Sequence, residues 1–326
     1  MRTIHCLSLA LVLASACKTA EFVPDASRKS RRFELSYAAT LDEVPAGAKE
    51  VRLWLPLATT TTDQLVDDVR ITCEWPYEIH ELGGGTGKVL CVTSPGKPIR
   101  VETRAAVTRY ETTGGGEASS EELAEALGAD ALIPLDGKVA SIAAGVELSS
   151  DTRKAAMALY SHTLERMRYD KPEGQPWGRG DAEWACDARF GNCTDFHSYF
   201  MGLARTKGIP ARFEMGFSVP TGAEDVLPIK GYHCWAFFWQ DGAGWVPVDI
   251  SEADKAPEKS DYFFGTLDEH RVTLSGGRDV ELTPRPKKGA LNFFVYPYAE
   301  ADGVELSKIV RTVEARPLAT PVEGKR

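Results

Sequence analysis

Three residues in this chain have types and spacing that could do covalent chemistry: Cys193, His233 and Asp249. Cys193 opens the run CTDFHSYFMGLARTK, in which Phe196, Tyr199, Phe200, Leu203 and Ala204 recur at helical spacing. Asn192 is a good N-cap, Asp195 suits a first turn, and Lys207-Gly208 followed by Pro210 is a stop signal. The pattern predicts a helix over 193–207, with the thiol in its first turn and on the packed side. Unpaired amides and the positive dipole end favour an anion there, so the thiol should ionise readily. His233 lies in GYHCWAFF, a predicted strand over 232–240 on which Trp235, Phe237 and Trp239 share its face. Asp249 ends the next predicted strand, 244–250. The turn DGAG must have an odd loop if His233 and Asp249 are to face the same way. A three-residue loop closing 240 on 244 places Asp249 opposite Trp235, and a five-residue loop places it opposite His233. Either would let Asp249 orient the imidazole while His233 exchanges a proton with Cys193.

Other uses of these residues are weaker. Zinc prefers motif-like spacing, and C-x6-C-x3-H over Cys186, Cys193 and His197 matches none. His233 and Cys234, as strand neighbours, should face opposite sides. His197 is a second candidate base, but helical geometry should point it away from the strand. Asp195 reads as a helix-terminus residue, His162 as a surface residue, His80 as structural, and Tyr232, Trp235 and Trp239 as core or cleft wall. No dense acidic loop suggests calcium, and no cofactor is implied.

The elements that must position the three residues follow from periodicity. Residues 33–111 alternate with period two, as in FELSYAATL and VRLWLPL, between Gly- and Pro-rich turns. They predict an antiparallel β-sandwich domain. Cys73 and Cys91 fall on neighbouring candidate strands, as a cross-strand disulfide or as two buried thiols. Residues 112–149 read as a linker with a short helix opened by the capping box Ser119…Glu122. A helix from Ser150-Asp151 to about Arg168 buries Ala156, Leu159, Thr163 and Met167. EGQPWGRGDAEWACDARFG is an irregular segment, 212–219 a strand, HRVTLSGGRDVEL a hairpin around Gly276-Gly277, and LNFFVYPYAE a late strand. Together 150–311 form a second domain, and 312–326 a frayed tail.

The N-terminus bears on compartment. MRTIHCLSLALVLASA has one early charge, an apolar run and small residues, so residues 1–16 read as a secretory signal peptide. Ala14-Ser15-Ala16-Cys17 resembles a lipoprotein processing site, with Cys17 acylated. Residues 17–32 read as a tether, in which RKSRR is a solvated spacer. The expected location is a membrane-anchored lipoprotein facing the periplasm or cell exterior. Of seven cysteines, five remain after Cys6 and Cys17, so a monomer keeps at least one free thiol. Cys186 and Cys234 are the alternative pair, as a disulfide or as buried thiols. A net charge of −9 without a basic stripe argues against nucleic acid as a partner.

Cys193 in GNCTDFHSYFMGLARTKGIPARFEMGF, His233 in GYHCW and Asp249 in GWVPVDIS resemble the core of the transglutaminase-like superfamily over residues 150–300. VRLWLPL with Gln64 nearby resembles the N-terminal β-domain of its exported bacterial members. The resemblance implies an α+β protein whose papain-like core packs the cysteine helix on an antiparallel sheet. It also implies thiolate attack on a carboxamide, a thioester, and transfer to water or an amine, with protein or peptide substrates in the cell envelope. Where many members carry Glu in a His-x-Trp-x-Glu pattern, this chain has Phe237. The family pairs the cysteine amide with an upstream side-chain oxyanion donor. Trp184 is the candidate here, with Trp177 behind it. The competing expectation is a non-catalytic binding or scaffolding lipoprotein that keeps the fold.

Overall fold

The computed structural model describes residues 27–319, so the leader, Cys17 and the first part of the tether lie outside the described residues. In chain order, β1 is Ser30–Leu41, β2 Val51–Leu57, β3 Gln64–Cys73, β4 Tyr77–Glu81, β5 Lys88–Ser94 and β6 Ile99–Tyr110. Next come α1 (Ser120–Glu125), α2 (Gly137–Ala144), α3 (Thr152–Arg166), β7 (Arg168–Tyr169), α4 (Ala182–Ala188), β8 (Phe190–Gly191) and α5 (Cys193–Thr206). The remainder is β9 (Ala211–Ser218), β10 (Leu227–Pro228), β11 (Tyr232–Gln240), β12 (Gly244–Val248), α6 (Ile250–Lys255), β13 (Arg271–Gly276), β14 (Tyr298–Ala301), β15 (Val304–Glu305) and β16 (Val310–Pro317).

The strands form two five-stranded sheets, ordered β10-β16-β1-β6-β3 and β15-β14-β2-β5-β4, and a four-stranded sheet, β12-β11-β9-β13. The period-two residues of β1, β2 and β5 meet in one core, where Phe33, Leu41, Leu53, Leu55 and Leu90 are fully buried. This is the antiparallel arrangement the alternation predicts, but it is not closed by residues 33–111 alone. β14 pairs with β2 and β16 with β1, so the last strands complete both sheets. The expected tail from 312 is therefore a strand, with Val313 and Ala315 buried on the core side. At the other end β1 begins inside the expected tether. Arg32 makes two bonds to Asp67 at 3.0 and 2.9 Å, and Arg31 reaches the Val219 carbonyl at 2.8 Å, so RKSRR is not a solvated spacer.

α1 has the expected capping box, and α3 is capped by Asp151. Two helices go beyond the sequence reading: α2 in the linker, and α4 in the segment expected to be irregular, capped by Asp181. β13 is a single strand on β9 rather than half of a hairpin, and the late strand is confined to 298–301. Cys73 and Cys91 lie in different five-stranded sheets, Cys91 beside Trp54 and Val89, and all five described cysteines are free thiols. No helix among the described residues is long and apolar enough to cross a membrane.

α5 is the centre of the second half. Phe196, Tyr199, Phe200 and Leu203 are fully buried, each contributing roughly 1.5–3 kcal/mol relative to exposure. Its polar residues are buried too. Thr194, Asp195, His197 and Ser198 are all fully covered, which requires each to find partners. Arg205 anchors the far end through Asp130 at 2.7 Å and the Ala211 carbonyl at 3.0 Å.

Candidate active site

The first turn of α5 is built by a reciprocal cap. The Asn192 side chain accepts from the Thr194 amide, and Asp195 accepts from the Asn192 amide. Asp195 also accepts from the Gly178 and Gly180 amides at 2.6 and 3.0 Å, clasping the preceding loop onto the helix start. Both glycines have positive φ (83° and 63°), a conformation that costs other residues energy. Burial pushes the Asp195 carboxyl up to about 6, against those three bonds. It is a helix-terminus residue, as its position suggested.

The hairpin closes with three loop residues: Gln240 pairs with Gly244 and Ala236 with Val248. Asp249 consequently falls opposite Trp235, diagonal to His233. The Asp249 Oδ2 is 2.7 Å from His233 Nε2, which leaves Nδ1 to the thiol. The sequence did not indicate that Asp249 also starts a helix. It caps α6, accepting from the Glu252 amide and the Ser251 hydroxyl, both at 3.1 Å, on Oδ1. The signal was present, since Asp249-x-x-Glu252 has capping-box spacing. A second residue was missed. Arg271, 2% exposed, donates to the same Oδ2 at 3.0 Å and to Asp268 at 2.9 Å.

Cys193, His233 and Asp249 thus lie together, at 2%, 4% and 0% exposure. Burial would raise the Cys193 thiol. Hydrogen bonds with Cys234 and His233, and the imidazole's charge, outweigh it and hold the thiol well below its ordinary value. Burial would lower His233, yet Asp249 and Cys193 raise it to about 10. Asp249 is driven far below the carboxylate range by His233 and Arg271, against its burial. These shifts favour a thiolate–imidazolium pair over a neutral thiol and imidazole.

His197 departs from expectation. It faces the sheet, accepting from the Ile250 amide at 3.1 Å on Nε2 and meeting Cys234 Sγ at 3.5 Å on Nδ1. A helix covered on all sides has no solvent face to turn this ring toward. Burial lowers His197 to about 4, so it is neutral near pH 7. Cys234 reaches Cys193 although it alternates with His233, and burial beside that thiolate raises it well above an ordinary thiol. It is not bonded to Cys186, whose thiol lies on α4, raised by burial to about 11.

Trp184 packs edge-on against Phe190, and the Trp177 indole donates to the Pro172 carbonyl at 2.9 Å. Tyr232 is wall: its hydroxyl meets Asn192 and Thr194, both at 2.8 Å. Phe237, in the place of the family's Glu, stacks with Arg212 at 4.8 Å. His162 is half-buried against the Tyr199 hydroxyl at 3.1 Å rather than on the surface. Gln64 is fully buried and clasps Thr273 on β13 through both backbone groups. Among the described residues no group of three or more His, Cys, Asp or Glu side chains is arranged to hold a metal.

Residues 140–250, which include all three site residues, match the family model described as the transglutaminase-like superfamily. Over these residues the chain is similar to the core of that superfamily. A candidate cysteine protease from Cytophaga hutchinsonii has the same fold at TM-score 0.60 and 15% identity, over 90% of this chain and 93% of that one. The matched segment thus lies within a shared α+β architecture that includes the β-sheets flanking it. The periplasmic domain of TgpA from Pseudomonas aeruginosa aligns at TM-score 0.37 and 17% identity, over 70% of this chain and 92% of that one, too loosely to carry an argument. An uncharacterized protein of Haemophilus influenzae is 34% identical over 146 residues, 36% of this chain. The match spans 40% of the length of that curated relative.

Proposed function

We propose that the protein is a thiol enzyme acting on carboxamide or peptide bonds through Cys193, His233 and Asp249. The observation that carries this is the 2.7 Å contact of His233 Nε2 with Asp249, made while the same imidazole bonds a thiol in the first turn of α5. In this reading the Cys193 thiolate attacks the carbonyl carbon, and the His233 imidazolium gives its proton to the leaving nitrogen. A thioester remains. Water or an amine then attacks it, with neutral His233 taking the proton and Cys193 leaving as the thiolate, which restores the ion pair. Asp249 keeps the imidazole in one tautomer and offsets its charge. The oxyanion would be met by the Cys193 amide at the helix start, with Trp184 as second donor. Replacing one such donor costs about 10²–10³ in rate, so Trp184→Phe tests that assignment. Both reacting side chains are almost covered, so substrate entry requires neighbouring groups to move aside. Tyr169 and Lys255, stacked at 3.9 Å, lie within electrostatic reach of the thiol.

The protein is incubated with glutamine-containing polypeptides, quenched in acid and weighed intact. An acyl adduct on Cys193, absent from Cys193→Ala, supports the enzyme. Ammonia release then marks deamidation or crosslinking, and new amino termini mark peptidase action. No adduct and no turnover over a broad substrate set would favour a binding or scaffolding protein. We also propose export, with Cys17 as lipid anchor and substrates in the cell envelope, on the strength of the N-terminal sequence. Loss of fatty-acid labelling in Cys17→Ser tests the anchor.

A further inference from the structure

Asp249 serves two cations with one oxygen. His233 Nε2 is 2.7 Å and Arg271 Nη1 3.0 Å from Oδ2, while Oδ1 is occupied by the Ser251 hydroxyl and the Glu252 amide. Arg271 has little freedom. Its Nη2 is on Asp268 Oδ2 at 2.9 Å, its Nε on the Asp268 carbonyl at 3.2 Å, and its guanidinium lies 5.0 Å over the Trp235 ring. The Trp235 indole is fixed in turn by Glu214 at 3.1 Å. β13 is held close by Gly216, which pairs with both His233 and Thr273, and a Cβ there would sit 1.8 Å from the Val272 carbonyl.

We propose that Arg271 is a positioning residue that shares the Asp249 carboxylate with His233, and so sets how readily the imidazolium gives up its proton. This rests on the triad reading above. A carboxylate serving the imidazole alone would hold its proton so firmly that His233 would be a poor acid toward a leaving nitrogen. The buried guanidinium takes part of that charge and keeps Oδ2 aimed at Nε2. Asp268 divides Arg271 in the same way. The other charged or titratable groups around the assembly are Cys193 and His197 from α5, Cys234 from β11, Glu252 and Lys255 from α6, Glu214 from β9, Arg109 from β6 and Tyr160 from α3. None of them makes a hydrogen bond to Oδ2 among the described residues.

The test is a ¹³C-histidine NMR titration of His233 in full-length Cys193→Ala protein, where no thiolate couples to the imidazole. Adding Arg271→Met should raise the His233 midpoint by about one pH unit, the scale of a close cation largely offset by Asp268. Asp268→Asn frees Arg271 for Asp249 and should move the midpoint the opposite way. Arg271→Lys should stay within a few tenths of the parent. A packing role alone would give no shift in either direction, and that result, or two shifts of the same sign, overturns the proposal. Should Arg271→Met not fold, Asp268→Asn decides by its own sign. Failure of the triad reading is seen separately, as a Cys193 alkylation midpoint near the ordinary 8.5 in the otherwise unaltered protein.

Discussion

Asp249→Asn removes a buried charge from four bonds at once while keeping the side chain's size. His233 Nε2 at 2.7 Å then faces a neutral amide, and the imidazolium loses the partner that, with Cys193, raises it to about 10. A carboxylate with its charge centred near 4 Å is worth about 4 kcal/mol at an effective dielectric of 20, or about three pH units. That returns the imidazole toward 6.5, and the thiol, deprived of a cation, toward 8.5. At pH 7.5, where an imidazole of 6.5 is about nine-tenths neutral, a thiol of pKa 8.5 is about one-tenth thiolate. Iodoacetamide alkylation of Cys193 at pH 7.5, followed by peptide mass spectrometry, should therefore slow by about an order of magnitude. A rate within threefold of the parent would refute the claim that Asp249 maintains the ion pair. The same variant leaves Arg271 facing an amide, so it should also lose a few kcal/mol of stability, less whatever Asp268 retains.

Cys193→Ala should abolish turnover and the fast alkylation, with a far-ultraviolet spectrum unchanged. The thiolate–imidazolium pair binds as many protons as the neutral pair. Urea stability should consequently show no slope from this pair between pH 6.5 and 8.5. In Cys193→Ala only the raised His233 remains, so its contribution, full below about 6.5, should fall by about 1.4 kcal/mol per unit as pH rises toward the folded value. A flat curve for the variant would show that Asp249 does not raise the imidazole. His197→Ala leaves the Ile250 amide and Cys234 without their partner, and should cost about 2–4 kcal/mol. Its Cys193 alkylation midpoint should nonetheless stay within half a unit, because His197 is neutral; a larger change would make it a second base. A chain ending at residue 309 lacks β16 and should lose cooperative unfolding by calorimetry. Wild-type-like melting would mean that this strand is dispensable.

The hairpin was legible because side-chain parity leaves few choices: DGAG had to close with an odd loop for His233 and Asp249 to meet, and the observed pairing takes one of the two. α5 was legible from its aromatic spacing and cap. Its total burial was not. Periodicity finds an apolar stripe, whereas Thr194, Asp195, His197 and Ser198 are covered by loops and α6 that bring partners from elsewhere in the chain. For the same reason the ring of His197 was expected to point away from the strand. Arg271 carries no local signal of its role. It is an ordinary strand arginine until β9 brings it beside β11. RTVEARP alternates as a strand should, but only pairing with β1, nearly the whole chain away, distinguishes it from a loose end.

That pairing has a mechanical consequence. β1 and β16 are antiparallel, with Phe33 opposite Pro317, and the Leu318 amide reaches the Arg32 carbonyl at 3.0 Å. The chain therefore enters and leaves the described structure side by side. A pull applied across the two ends would load the rungs between β1 and β16 one after another, as a zipper opens, rather than all together as in sliding. An N-terminal anchor would place a C-terminal tag at the same surface, and force exerted through both would peel away the strand that completes the sheet. Force applied through the N-terminal side and the Asp241–Ala243 turn between β11 and β12 would not act on that seam in this way. In single-molecule pulling, end-to-end attachment should yield at markedly lower force than attachment through an engineered thiol on the Asp241–Ala243 turn.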